Sequence, residues 1–158
     1  VSVKNNKYKV HLIKYADDFV VTASNKETLE AIKEMIKIFL LERGLMLSEE
    51  KTKITHIKEG FDFLGWNFRK YNDKLIIKPS EKSIRKVKQT VSKIIKTNKT
   101  STQERVIHLL NQVTRGWAEY HHTVCAKETF SKIDHCIWEM LWRWSKRRHP
   151  NKSKKLDS

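Results

Sequence analysis

The spacing of hydrophobic positions changes period along this chain, and each change marks a new kind of element. Tyr8, Val10 and Leu12 alternate with Lys9, His11 and Lys14, and Phe19-Val20-Val21 follow after Tyr15-Ala16-Asp17-Asp18. Alternation on both sides of a short polar centre predicts a β-hairpin with two carboxylates at its tip. From Ser24 the period becomes helical, with Leu29, Ile32, Ile36, Phe39 and Leu40 on one face and most charges elsewhere. Ser24 and Glu27 predict a capping box, and Gly44 a stop after a helix ending near Arg43. A connector from Leu45 to Thr52 then brings Lys51 and Lys53 to a strand expected over 52–57. Glu59-Gly60 turns it into a return strand from Phe61 to Tyr71. In that return strand the apolar parity switches at Leu64-Gly65, which predicts a bulge at Gly65 and a close approach there. A second turn at Asn72-Asp73 leads to Leu75-Ile76-Ile77, and Pro79 ends the sheet.

Beyond Pro79 only the helical period remains. Ser80 caps a helix with the stripe Ile84, Val87, Val91, Ile94 and Ile95. Ser101 and Glu104 predict the cap of the next, with Val106, Leu110, Val113 and Trp117 inward and an interruption at Arg115-Gly116-Trp117. The last helix is expected from about Lys127 to Lys146. Phe130, Ile133, Ile137, Leu141 and Trp144 form its core face, with Trp138 and Trp142 alongside in one packing seam. The pattern is therefore α+β: β-hairpins plus one helix over 1–79, three main helices over 80–150, and a basic polar tail over 151–158.

Charge adds a partner to this picture. The 158 residues carry 33 Lys and Arg against 18 Asp and Glu, a formal net charge of +15. The excess is concentrated on the helix after Pro79, where Lys82, Arg85, Lys86, Lys88, Lys93, Lys96 and Lys99 lie off the apolar stripe. A face of one sign repels itself unless phosphates neutralise it, so Lys86, Lys93 and Lys96 are expected to contact a nucleic-acid backbone. A membrane is disfavoured, because no apolar run reaches spanning length and no secretory segment is visible. Two cysteines, Cys125 and Cys136, make no disulfide framework and fit a reducing, cytoplasmic or organellar setting. Zinc is a weak alternative on His121, His122, Cys125, His135 and Cys136, since Cys136 sits on the apolar side of a helix. The start at Val1 and the polar end suggest a piece of a longer protein.

The candidate chemistry lies at the first hairpin. Aspartate is a common turn residue, but two adjacent carboxylates at a tight turn can also converge on hard divalent ions such as Mg²⁺. Tyr15-Ala16-Asp17-Asp18 resembles the YxDD motif of a reverse-transcriptase palm. Leu47-Ser48-Glu49-Glu50-Lys51-Thr52 and Phe63-Leu64-Gly65-Trp66 resemble the blocks that follow it. Arg115-Gly116-Trp117-Ala118-Glu119-Tyr120 and Arg147-Arg148-His149-Pro150-x-Lys152 resemble the thumb, or maturase X domain, of group II intron reverse transcriptases. The last two motifs favour that family over retron-type and viral relatives.

The resemblance implies RNA-directed DNA polymerase activity and assistance to intron splicing, with two Mg²⁺ ions in the complete site. Asp17 and Asp18 would be the catalytic metal carboxylates, and Tyr15 and Ala16 would line a primer–template duplex. Leu64 and Gly65 would grip the primer. Lys51, Lys53, Arg115, Trp117, Tyr120, Arg147 and Arg148 would join the lysines in holding nucleic acid, including group II intron RNA. The family's third metal aspartate belongs to an earlier motif, so this chain alone is expected to be inactive as a polymerase without the N-terminal fingers and palm. An RNA-binding splicing factor without polymerase activity of its own is the alternative.

Overall fold

In a computed structural model of the chain, described for residues 9–149, the α+β expectation holds: two small antiparallel sheets and four helices. The arrangement is that of a partial palm followed by a helical thumb. Residues 1–8 and 150–158, which include Tyr8, Pro150, Lys152 and the expected polar tail, lie outside the described residues. Packing divides the chain into two units, one up to His56 and one from Ile57. The division expected near Pro79, where the chain turns all helical, falls inside the second unit, whose sheet packs with the later helices.

In the first unit, β1 (His11–Tyr15) pairs antiparallel with β2 (Asp18–Thr22), His11 opposite Thr22 and Tyr15 opposite Asp18. Helix α1 (Lys26–Leu41) follows. Its cap lies one residue later than expected: Asn25, not Ser24, accepts the Thr28 backbone N–H at 2.8 Å. The stop is the expected glycine. Gly44, at φ +68, donates to Leu41 O at 3.0 Å and Leu45 to Leu40 O at 2.9 Å, the paired bonds of a Schellman motif. No residue of α1 is buried; of its expected core face Leu29, Ile32, Ile36 and Leu40 are half-covered and Phe39 is exposed.

The expected strand over 52–57 does not form. Ile57 O accepts from Lys70 N at 2.9 Å, but the turn that follows carries the chain away before a ladder is built. That turn is pinned by Arg69, whose Nε donates to Lys58 O at 2.8 Å. Gly60 is required there: φ is +86, and a Cβ would meet Arg69 Cβ at 3.0 Å and Phe68 O at 3.1 Å.

The return strand is two strands. β3 (Phe61–Phe63) and β4 (Trp66–Tyr71) are joined by the two-residue turn Leu64-Gly65, with Phe63 opposite Trp66. Both turn residues have positive φ, +51 and +81, the signature of a type I′ hairpin. The parity switch therefore marks a reversal of direction, not a bulge. Phe61 and Phe68 end up opposite each other with stacked rings 5.3 Å apart. β5 (Lys74–Pro79) pairs with β4 beyond the expected turn at Asn72-Asp73, giving the order β3-β4-β5.

Helix α2 (Glu81–Thr97) begins at its expected cap, Ser80, whose hydroxyl accepts the Ser83 N–H at 3.1 Å. Helix α3 (Gln103–His121) is capped by Thr102 rather than Ser101, which instead bonds Asn98. It runs unbroken through Arg115-Gly116-Trp117, and nothing lies within 4 Å of a Cβ placed at Gly116. The glycine is accepted at a helical position whose outer side is open. Helix α4 (Lys127–Arg148) extends to Arg148.

Both α3 and α4 pack on α2, around Val91, Ile95, Val106, Leu110 and Trp144. The α4 tryptophans split. Trp144 is 8% exposed and donates its indole N–H to Asn98 O, whereas Trp138 is 58% exposed. The single seam expected for them does not exist. Among the described residues no helix is long and apolar enough to cross a membrane.

Candidate functional site

The hairpin of the first unit places its carboxylates by register. With Tyr15 opposite Asp18, the turn residues are Ala16 and Asp17, and both aspartates, like Tyr15, are exposed. Ala16 has φ +50, a conformation that an alanine adopts only at a cost of about 1–3 kcal/mol. Strain at such a turn persists where flanking structure imposes it, here a five-residue ladder on each side. Neither aspartate side chain has a hydrogen-bond or ion-pair partner among the described residues. Their oxygens are hard donors suited to Mg²⁺, but no group of three acids, histidines or cysteines able to hold a metal exists among the described residues. The pair fits part of a ligand set, not a whole one.

The block Leu47–Thr52 is anchored by a residue that sequence reading passes over. Glu49 meets Lys37 Nζ at 2.8 Å and Lys33 Nζ at 3.4 Å, one turn apart on α1. The hydrogen bond from Lys37 leads the effects that lower the Glu49 pKa, and the same contact raises that of Lys37. No local signal announces this pairing, since the partners are distant in sequence. The backbone then turns through Lys51 and Thr52 N–H bonds to Ser48 O, leaving Lys51 and Lys53 exposed.

In the second unit the two motifs assigned to nucleic acid meet each other. Tyr120 donates its hydroxyl to Leu64 O at 2.6 Å and stacks on Trp66 at 4.9 Å. A Cβ at Gly65 would lie 3.7 Å from the Tyr120 ring, an ordinary contact, so positive φ rather than space selects glycine there. Beneath this lies a polar knot. Trp66 Nε1 donates to His121 Nδ1 at 2.9 Å, His121 Nε2 bonds Ser83 Oγ at 3.0 Å, and Trp117 Nε1 donates to the same oxygen at 3.0 Å. An indole N–H can only donate, so His121 Nδ1 must accept and the proton sits on Nε2. The ring is therefore neutral, and burial, with only 1% of His121 exposed, lowers its pKa.

This knot ties β4, α2 and α3 together and half-buries Trp117, while Tyr120 stays 48% exposed. Ser83 and His121 were legible in principle as polar members of apolar stripes. Ser83 lies four residues before Val87, and His121 four after Trp117. Both ring nitrogens of His121 are occupied, by Trp66 and Ser83. Of the other residues weighed for zinc, Cys125 is exposed with its backbone N–H on Ile77 O, and His135 faces Glu139.

The cations separate into free and committed. Lys86, Lys93 and Lys96 are exposed along α2, and Arg115 is exposed on α3 beside a groove of about 270 Å³ that Asp134 also lines. Arg147 bonds back to Arg143 O, while Arg148 donates to Ser101 O and lies over the Trp144 ring at 4.8 Å. Arg148 thus clamps the end of α4 to the loop before α3.

The sequence has known relatives. The family model for reverse transcriptase (RNA-dependent DNA polymerase) matches residues 2–68, and that for the group II intron maturase-specific domain matches residues 84–157. The group II intron-encoded protein LtrA of Lactococcus lactis subsp. cremoris is 44% identical over 59 residues, covering 36% of this chain and 10% of the relative. The protein of the same name from strain MG1363 matches to the same extent. The chain therefore spans about a tenth of the curated relatives it matches.

Proposed function

The chain belongs to the group II intron reverse transcriptase and maturase family, and on that premise we propose that it contributes two parts of one ribonucleoprotein enzyme. Asp17 and Asp18 are the catalytic carboxylates of an RNA-directed DNA polymerase, and the basic helical unit binds intron RNA. The observation that carries this reading is the exposed, strained two-residue turn that presents both aspartates with no other task. Asp17 and Asp18 would hold Mg²⁺, whose chemistry there would be activation of an attacking hydroxyl and charge neutralisation at a leaving phosphate. The chain's own contribution is to hold two oxygens in register at the tip of a rigid hairpin, with Tyr15 and Ala16 facing the duplex. Leu64-Gly65 belongs to the primer-facing turn, and Lys51 and Lys53 to the duplex border.

The helical unit supplies phosphate contacts through Lys86, Lys93, Lys96, Arg115 and Arg147. With no third acid grouped with Asp17 and Asp18 among the described residues, two metal ions held there would be under-coordinated, which supports RNA binding over polymerase activity for the chain by itself. Its autonomous role is RNA binding inside the cell, in the cytoplasm or an organelle. The test is Asp17→Asn in a protein that includes the upstream polymerase segments. Primer extension should fall by several orders of magnitude while RNA binding and its steep salt dependence stay unchanged. Equal loss of binding and extension would remove the catalytic assignment.

A further inference from the structure

Five tryptophans occur in the chain, and they divide into two classes by where their indole N–H points. Trp66 donates to His121, Trp117 to Ser83 and Trp144 to Asn98 O, all within the second unit. Trp138 and Trp142 have no acceptor for theirs among the described residues. They stand instead in a row on the outer side of α4. His135 and Trp138 have ring centroids 6.2 Å apart with planes 16° off parallel, and Trp138 and Trp142 are 5.9 Å apart at 10°. Positions 135, 138 and 142 fall on one helical face, and Lys146 continues it one turn on.

A large aromatic on a surface is ordinarily covered, yet Trp138 is 58% exposed. What could cover it is constrained by charge. Lys146 continues the row one turn beyond Trp142, and Lys132 precedes His135 by three positions. Two acids border it: Glu139 is engaged by His135 at 3.6 Å and Arg143 at 3.4 Å, and Asp134, one turn before Trp138, also lines the groove near Arg115. A row of near-parallel rings in a cationic border suits a ligand with flat apolar faces on an anionic backbone.

We propose that His135, Trp138 and Trp142 form a stacking strip for unpaired RNA bases, with Lys132 and Lys146 on the adjoining phosphates. This deepens the RNA-binding reading and rests on it. Duplex RNA offers no free base faces to such a strip, whereas a single-stranded loop or junction does, and aromatic stacking tolerates any base. The strip is thus distinct in kind from the α2 lysines, which contact phosphates of any RNA.

The experiment compares binding of the full chain to a short single-stranded RNA and to a blunt duplex with the same number of phosphates. Trp138→Ala should weaken single-strand binding about tenfold, the loss of one base stack, and leave duplex binding within about twofold. The slope of affinity against salt should be unchanged, because no cation is removed. Trp138→Phe should recover part of the loss. Equal weakening for both RNAs, no weakening for either, or a change in self-association measured by sedimentation would each overturn the strip. If the parent chain binds neither RNA, the RNA-binding reading itself fails. If the parent binds and Trp138→Ala binds equally well, only the strip fails.

Discussion

His121 shows how one side chain can carry a structural task that its residue type does not advertise. It accepts from one indole and shares a serine hydroxyl with another, and only the neutral ring can do both. Its folded pKa lies below the ordinary 6.5, so the unfolded state binds the proton more readily. The stability from this knot is therefore complete above about pH 6.5 and is lost as pH falls from there toward the lower folded value. Urea melts of the chain should show a falling midpoint over that acid window. In His121→Gln the overall stability should drop by roughly 1–3 kcal/mol, as partners are left imperfectly satisfied, and that acid-side slope should flatten. An unchanged slope in the variant would assign the pH dependence to another group.

Elements in this chain start and stop by side-chain chemistry at single positions, and the cap of α1 is the case that separates two readings. Ser24 and Glu27 have the spacing of a capping box, but Asn25 supplies the oxygen that the Thr28 N–H uses. Asn25→Ala should cost the helix about 1 kcal/mol, whereas Ser24→Ala should cost only a few tenths. Amide hydrogen exchange over the first turn of α1 measures this directly, and equal protection loss in both variants would contradict the cap. Thr102 displaced Ser101 in the same way, because Ser101 was already held by Asn98. Sequence locates such caps only to within a residue, since neighbouring hydroxyls and amides compete for one N–H and the winner depends on where the incoming loop runs.

At the scale of the whole molecule the two units differ in how they bury apolar surface. Among the described residues every buried core residue belongs to the second unit. The first exposes Leu12, Ile13, Met35, Ile38, Phe39, Leu41, Leu45 and Met46, Met46 to 86%. An apolar surface of that extent invites association unless another segment covers it. Replacing Met35, Ile38 and Met46 with Gln should raise the soluble fraction and lower binding of a hydrophobic dye. Unfolding free energy should change by no more than about 0.5 kcal/mol. A larger loss of stability would mean that these side chains already pack on something.

Much of this was legible in one dimension. The helical and alternating periods located all four helices, the first hairpin and its Asp17-Asp18 tip, and the β5 return, because period follows from backbone geometry that local sequence must match. Basic residues on α2 could be read as a face because helix angles are fixed. What tertiary structure decided were the places where distant groups compete or meet. The parity switch at Leu64-Gly65 is compatible with both a bulge and a turn until β4 pairs with β3. Glu49 reaches two lysines that precede it by a dozen residues or more, and Arg148 is spent on Ser101 O. Trp117, Tyr120 and His121 form a knot with Ser83 and Trp66, while Trp138 and Trp142 stay outside. Composition treats the five indoles alike, and only the packed chain determines which N–H finds an acceptor.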